Sequence, residues 1–424
     1  MKTITVALVG AGGRGGIYSA YIVRHPEQFQ IVAVAEPRMP YREEFVAKLG
    51  LQGVQQFPDW QTMVQQPKLA DAALVCTQDG DHYHSAMALL AAGYDLLLEK
   101  PMAETPAQCL EIAERARALG RKVVPCYVLR YTPFFVTLKR LLDEKRIGDV
   151  VSIEWAENVG YWHQALSFVR GPWAIEGKST PMLLAKSCHD LDMFDFLLDA
   201  RCERVTSFGS LRFFNAQHAP EGAPAHCQDG CPHKDTCPWY APRFYVDDAR
   251  WNAFLMQYAG VHGTSSREEK LAALRASGHD RCVFRCQNDV VDHQVAIFEY
   301  PQGVTISFTM SAFTQVCTRS LRVLGTAAEL RGDLEGGWID IHGFLGEQTT
   351  RVTIDTPDDG HAGGDGAMMR ALHAMLQPGR PIDAHTDAFV YLQSNLLGFA
   401  AEQARRERKV VELADFAREV GVTG

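Results

Sequence analysis

The stretch VALVGAGGRGG, residues 6 to 16, constrains this 424-residue chain more than any other. Gly10, Gly12 and Gly15 stand in G-x-G-x-x-G spacing, at the end of one apolar run and the start of a helical one. Side chains are excluded there because a pyrophosphate must approach the backbone at a helix N-terminus, where unpaired N–H groups and the dipole favour an anion. Gly13 and Arg14 complete the loop as cofactor-binding candidates. Glu36 ends the second apolar run about 20 residues further on, where an acidic side chain accepts hydrogen bonds from the adenosine ribose and repels a 2′-phosphate. NAD is therefore preferred, with Arg38, two residues on, keeping NADP as the alternative.

From residue 1 to about 125, short apolar runs alternate with helical stretches, which predicts a parallel sheet covered on both faces. Thr105, Pro106 and Gln108 read as a helix start, with Thr105 as N-cap and Gln108 reaching back. Beyond residue 126 come strands joined by tight turns, such as HQVAIFEYPQGVTISFTM, the mark of an antiparallel sheet. A last core helix is expected over roughly 384 to 406. The fold class is α/β: an N-terminal Rossmann dinucleotide-binding domain (1–125), then a C-terminal α+β domain (126–424) with a large, mostly antiparallel sheet. The second domain includes a Cys-rich insertion at 213–290. A formal net charge of −9 offers no basic footprint for a nucleic acid. No apolar run is long enough to span a bilayer and no secretory leader opens the chain, so the cytoplasm is expected, with thiols rather than disulfides.

The run LLLEKP, residues 96 to 101, raises a question of its own. Three leucines predict a strand buried on both faces, yet it ends in Glu99 and Lys100 before Pro101. Ligands of an open parallel sheet lie beyond the carboxyl ends of its strands, so this charged pair should face the cofactor. Further on, PMLLAKSCHDLDMFDFLL has the periodicity of a helix with Leu183, Leu184, Leu191, Phe194 and Leu198 on its buried stripe. Lys186 lies three residues before His189, and Asp192 three after it, on one face. A cation near Lys100 or His189 would favour their neutral, base-competent forms. The plainer alternative is a solvated Lys186 and a hydrogen-bonded core histidine.

Taken together, GAGGRG, Glu36, CTQDGDHYHSAMALLAAGYDLLLEKP, LRYTP and LLAKSCHDLD resemble the Gfo/Idh/MocA family of oxidoreductases across essentially the whole chain. The resemblance implies that Lys100 lies beside the nicotinamide and the reacting hydroxyl. It also implies that Thr77, Gln78 and His82 pass the nicotinamide ribose, that Arg130 belongs to the cofactor site, and that His189 is catalytic. That family usually has an aspartate four residues before this histidine; here the position is Ala185, beside Lys186. Tyr161, His163, Arg170 and Trp173, in a loop after the first strand of the second domain, form the expected substrate wall with Asp192, since sugars bind on aromatic faces flanked by charges. The segment GHAGGD adds His361 and Asp365.

Cys227, Cys231 and Cys237, with Cys286 among the candidates for a fourth ligand, suit a structural zinc; unliganded thiols are the alternative. The function implied is NAD-dependent oxidation of a secondary hydroxyl on a small carbohydrate substrate, a sugar, polyol or glycoside, by a homo-oligomer. An NAD-dependent glycoside hydrolase working by transient ring oxidation is the alternative, and a non-catalytic sensor a third.

Overall fold

The computed structural model describes residues 1–248, 265–346, 348–357, 360–382 and 387–422. Part of the Cys-rich insertion (249–264) and the expected start of the last core helix (383–386) thus lie outside the described residues.

Six strands, β1 (Ile4–Val9), β2 (Phe29–Ala35), β3 (Gln55–Phe57), β4 (Ala72–Val75), β5 (Asp95–Leu98) and β6 (Val123–Pro125), form one parallel sheet in the order β3-β2-β1-β4-β5-β6. The order reverses between β1 and β4, the switch point at which such sheets open a crevice for ligands. Helices α1 (Gly13–Arg24), α2 (Met39–Lys48), α3 (Trp60–Val64), α4 (Asp79–Ala91) and α5 (Pro106–Leu119) connect the strands. Leu96, Leu97 and Leu98 of β5 are fully buried, as a central parallel strand requires. Thr105 caps α5 by accepting a hydrogen bond from the Gln108 amide at 3.2 Å. The side-chain oxygen of Gln108 is buried without a partner among the described residues, so the expected return bond is not formed.

After α6 (Pro133–Asp143), the second domain is built on nine strands: β7 (Val150–Asn158), β8 (Arg204–Ser210), β9 (His293–Glu299), β10 (Thr305–Ser311), β11 (Thr318–Gly325), β12 (Ala328–Asp333), β13 (Trp338–Gly343), β14 (Thr350–Thr353) and β15 (Val411–Glu412). Their order is β14-β13-β12-β11-β7-β10-β9-β8-β15, antiparallel except where β7 pairs with β10. Strands alternate as a one-sided sheet should: Ile306, Phe308 and Met310 of β10 point into the core while Ser307 and Thr309 face outward. A short turn α7 (Tyr161–His163) leads toward α8 (Met182–Leu198), which lies between the sheet and a long helix near the C-terminus. In that position α8 is buried on nearly every side, so the predicted leucine stripe widens to most of its circumference.

The last helices are α9 (Arg267–Ala276) in the insertion, α10 (Gly364–Met375), α11 (Ala388–Glu407) and α12 (Leu413–Glu419). α10 returns to the first domain, where Met368, Met369 and Leu372 share a core with Ile4, Leu8 and Tyr18. This return brings residues some 350 positions apart to one site. No helix among the described residues is long and apolar enough to cross a membrane.

Candidate active site

A cleft of about 750 Å³ runs along the carboxyl ends of β1, β2 and β4, lined among others by Gly10, Gly12, Glu36, Arg38, Thr77 and Gln78. Gly10 has φ +92°, and a Cβ there would stand 2.4 Å from the carbonyl oxygen of Cys76. A Cβ on Gly15 would stand 2.2 Å from the carbonyl oxygen of Gly10. Both positions are thus closed to any side chain. No side chain caps the start of α1 at Gly12, which leaves the first amides of the helix for an anion. Glu36 accepts from the Ala11 amide at 3.1 Å and from Arg38 Nε at 2.6 Å. Burial pushes its carboxyl up, but hydrogen bonding and charge from Arg38 outweigh that and hold it below its ordinary value. The pairing consumes Arg38 in fixing Glu36, and its guanidinium also lies 4.2 Å from the Tyr41 ring centroid. The glycine cradle and the ionised acid fit a dinucleotide without a 2′-phosphate.

At the end of β5 the Lys100 ammonium donates to the backbone carbonyl of Ala185 at 2.7 Å. A main-chain oxygen of α8 therefore holds the lysine, from the position where the family resemblance has an aspartate and this chain has Ala185. One turn further along α8, His189 is 5% exposed, its ring 5.9 Å from that of Tyr127 and 5.9 Å from that of His361. Its Nδ1 is buried with no partner among the described residues. Burial, and then Lys100, the neighbouring His361 ring, Arg319 and Arg14, hold the imidazole well below its ordinary value, so it is neutral at neutral pH. A second histidine, His163, is pushed down in the same way, first by burial and then by Lys186 and Lys100.

This depression links the site to stability. A histidine with a lowered folded-state pKa stabilises the fold above its unfolded value, near 6.5, and that stability is lost as pH falls toward the folded value. The urea midpoint of the native protein is expected to drop as pH falls below about 6.5. Replacing His189 with asparagine should flatten the slope, and an unchanged slope would rule out a neutral buried imidazole.

Lys186 takes a different place from the one expected. Its ammonium pairs with Glu157 at 3.1 Å and lies 3.5 Å from His163 Nδ1, so its partners are these and not His189. Burial lowers its pKa, yet Glu157 more than reverses this, so Lys186 is a fixed cation and not a base. Glu157 also pairs with Arg319 at 2.9 Å, and Arg319 with Asp190 at 2.8 Å. Trp155 Nε1 donates to the same Asp190 at 2.8 Å. The site thus rests on a buried network of two cations and two carboxylates.

Comparison with known proteins bears on the family and the fold. A model of the oxidoreductase family with an NAD-binding Rossmann fold, Gfo/Idh/MocA, matches residues 4–127, and a model of its C-terminal domain matches residues 135–331. The chain belongs to the Gfo/Idh/MocA family. Among relatives, YteT of Bacillus subtilis is 22% identical over 361 residues, covering 81% of this chain and 82% of that protein. An inositol 2-dehydrogenase of Streptomyces avermitilis is 30% identical over 223 residues, covering 52% of this chain and 60% of that protein. A solved scyllo-inositol dehydrogenase from Lactobacillus casei, with bound NAD(H) and scyllo-inositol, has a TM-score of 0.65 at 17% identity and covers 97% of this chain and 100% of that one. The Gal80p super-repressor of Saccharomyces cerevisiae has a TM-score of 0.72 at 14% identity, covering 98% and 99%. At these identities the structural likeness is one of fold.

Within this Gfo/Idh/MocA frame, several side chains do something other than the sequence suggested. Glu99 does not face the cleft: its carboxylate, 4% exposed, accepts from Arg14 Nε at 2.6 Å and from Tyr18 at 2.6 Å. Burial raises Glu99 and the Arg14 charge more than offsets this, so the acid stays ionised. The Arg14 guanidinium is committed to Glu99 and, at 2.7 Å, to Asp365 of α10, so it clamps the domains together and is not free for a phosphate. The His82 ring lies between two carbonyls, Pro101 at 2.7 Å and Thr77 at 3.2 Å, and so positions the loop without entering the cleft. Arg130 and Asp192 are consumed by each other, in a two-pronged pair at 2.6 and 2.7 Å that Ser394 completes.

The substrate wall is only partly assembled. Trp173 donates to Asp79 at 3.1 Å, bridging to the loop after β4. Arg170 turns into the Cys-rich insertion, where its guanidinium donates to the carbonyls of Arg281 and Trp239, both at 2.8 Å. Of the set, His163 lies against the buried charged network, while Tyr161 stays on α7 beside it. The expected zinc set does not gather either. Cys227, Cys231 and Cys237 wall a small cavity of about 20 Å³ with Cys282, but Cys286 donates to the Cys282 carbonyl at 3.4 Å. Among the described residues no three His, Cys, Asp or Glu side chains are arranged to hold a metal ion. Burial raises the Cys227 and Cys237 thiols above their ordinary value and pushes Cys286 up to about 11. Glu157 and Arg319 escaped the sequence reading. One signal was present: in β7 the inward alternation Ile153, Trp155, Glu157 places an acid where an apolar residue is due.

Proposed function

We propose that the protein oxidises a secondary hydroxyl of a sugar, polyol or glycoside with NAD as acceptor. The observation that carries this reading is the Lys100 ammonium, held at 2.7 Å by the Ala185 carbonyl next to a neutral, buried His189. The inositol 2-dehydrogenases among the relatives, and the neighbour crystallised with NAD(H) and scyllo-inositol, support a cyclic polyol or sugar as substrate class. Bound in the cleft, NAD would supply a hydride-accepting ring carbon. The chain's own residues do the rest: the glycine loop seats the pyrophosphate and Glu36 the ribose. Lys100 orients the alcohol oxygen through an N–H donor, and the His189 imidazole takes up its proton as the C–H bond breaks. Burial of His189 and partial burial of Lys100 limit competition from water.

We further place the enzyme in the cytoplasm as a homo-oligomer with neither nucleic acid nor membrane as a partner. The outer face of the second sheet supports a self-contact, because Phe208, Val295 and Ile297 are 63%, 42% and 48% exposed there.

Incubation with NAD and a panel of cyclic polyols, sugars and glycosides tests the reading. Growth of reduced-nicotinamide absorbance in proportion to substrate consumed is expected. Free sugar released from glycosides with only catalytic NAD would replace the dehydrogenase with the glycosidase alternative. Cofactor binding without any turnover would favour the sensor.

A further inference from the structure

We infer that His361, held by Asp365, is the outlet through which the proton taken up at His189 leaves the buried site; the inference rests on the oxidation reading above. Oxidising the alcohol breaks its C–H and O–H bonds: hydride passes to the nicotinamide ring and the proton to the His189 imidazole. That proton must reach solvent before the next turnover. His189 is 5% exposed and its Nδ1 is buried with no partner among the described residues, so a proton on that nitrogen has no side chain there to pass to directly.

His361 supplies one. Its side chain is 37% exposed, and its ring centroid lies 5.9 Å from that of His189, a gap that one water molecule or a substrate hydroxyl bridges. Nδ1 of His361 stands 2.9 Å from an Asp365 oxygen. We assign the hydrogen to Nδ1, donating to this carboxylate, because Arg14 Nη1, although 3.3 Å from Nδ1, has its acceptor in Asp365 at 3.2 Å; Nε2 is then the acceptor, as in a relay histidine oriented by an aspartate. Asp365 is 2% exposed, and although burial raises it, His361 and Arg14 hold it well below the ordinary carboxylate range. The groups around His361 include Asp365 from α10, Arg14 from α1 (Nη1 at 3.3 Å from Nδ1) and His189 from α8, with His163 near enough to feel its charge.

The backbone shows the same commitment. His361 and Ala362 have φ +42° and +51°, two consecutive residues with a Cβ in the left-handed region, between Gly360 and Gly363 at +86° each. A conformation this disfavoured persists where the surroundings over-determine it, and such residues concentrate at functional sites. Here the Asp365 bond and the Arg14 clamp hold it. A loop serving only to connect β14 with α10 has no need of an imidazole aimed at a second, buried imidazole. His361 acts through His189 and is thus a positioning and relay residue.

The test uses the full-length protein with ¹⁵N-labelled histidine, and compares the native chain with His361→Gly, a substitution that suits the positive φ and removes the ring. Solvent exchange of the His189 ring proton, read by NMR without cofactor, is expected to slow about tenfold or more in the variant and to recover with added imidazole. With NAD and the polyol that the native enzyme oxidises, turnover should fall in parallel, with a larger solvent isotope effect and rescue by imidazole. Asp365→Asn keeps the ring but frees its tautomer, and should slow exchange as well, which provides a reading if His361→Gly does not fold. Unchanged exchange in either variant, or turnover indifferent to imidazole, overturns the inference. Absence of turnover in the native protein would instead overturn the proposed reaction, while the exchange measurement still decides the role of His361.

Discussion

Replacing Lys100 with methionine is expected to lower kcat by about 10²- to 10⁴-fold while NAD still binds. Methionine keeps much of the length and apolar stem of the lysine, so it removes the ammonium without opening a large cavity. Binding should survive because the cleft that takes the dinucleotide is built from Gly10, Gly12, Glu36 and Arg38, none of which Lys100 touches. The loss falls on the chemical step, since the ammonium orients the alcohol oxygen and its charge helps to keep His189 neutral. Stopped-flow hydride transfer together with fluorescence titration of the cofactor separates the two. Loss of NAD affinity with unchanged hydride transfer would place Lys100 in the binding cleft and out of the reaction.

Arg319→Met should be the most damaging single change to stability, costing about 3–5 kcal/mol, because it leaves the buried charges of its partners uncompensated. Arg319 is 7% exposed and pairs with both Glu157 and Asp190, themselves 1% and 0% exposed. Lys186 still faces Glu157, and Trp155 still donates to Asp190, so part of the network remains. Burial already pushes the Asp190 carboxyl above its ordinary value against the opposing charge of Arg319, and without that charge it takes up a proton on folding. Urea titration of Arg319→Met against the triple variant Arg319→Met, Asp190→Asn, Glu157→Gln measures the effect. The triple variant should regain part of the loss, and equal destabilisation of both would assign the cost to packing alone.

Much of this architecture was legible because it depends on local spacing. The glycines of residues 10 to 15, Glu36 and the leucines of β5 belong to the βα repeats of one parallel sheet, and the structure places them as the spacing implies. The charged pair ending β5 was readable only in part: Lys100 leaves the strand toward the Ala185 carbonyl of α8, while Glu99 turns inward to Arg14 and Tyr18. What escaped were contacts across hundreds of residues. Arg14 looked like a phosphate ligand because its partner Asp365 lies on a helix that returns from the far end of the chain. Arg130 and Asp192 each looked available, and each turned out to satisfy the other. Arg170 followed its loop into the insertion, where backbone carbonyls take its donors. Lys186 shares a helix face with His189 by spacing, yet its ammonium pairs with the buried Glu157 of β7, because an ion pair in the interior outweighs neighbourhood along a helix.

A crystal structure of the protein soaked with NAD tests the central claim most directly. The pyrophosphate is expected on the amides that follow Gly12, with the reactive nicotinamide carbon facing a space bounded by the Lys100 ammonium and the His189 ring, about 3–4 Å from where the alcohol would sit. A nicotinamide turned away from Lys100, or a protein that holds no pyridine nucleotide at saturating concentration, would contradict it.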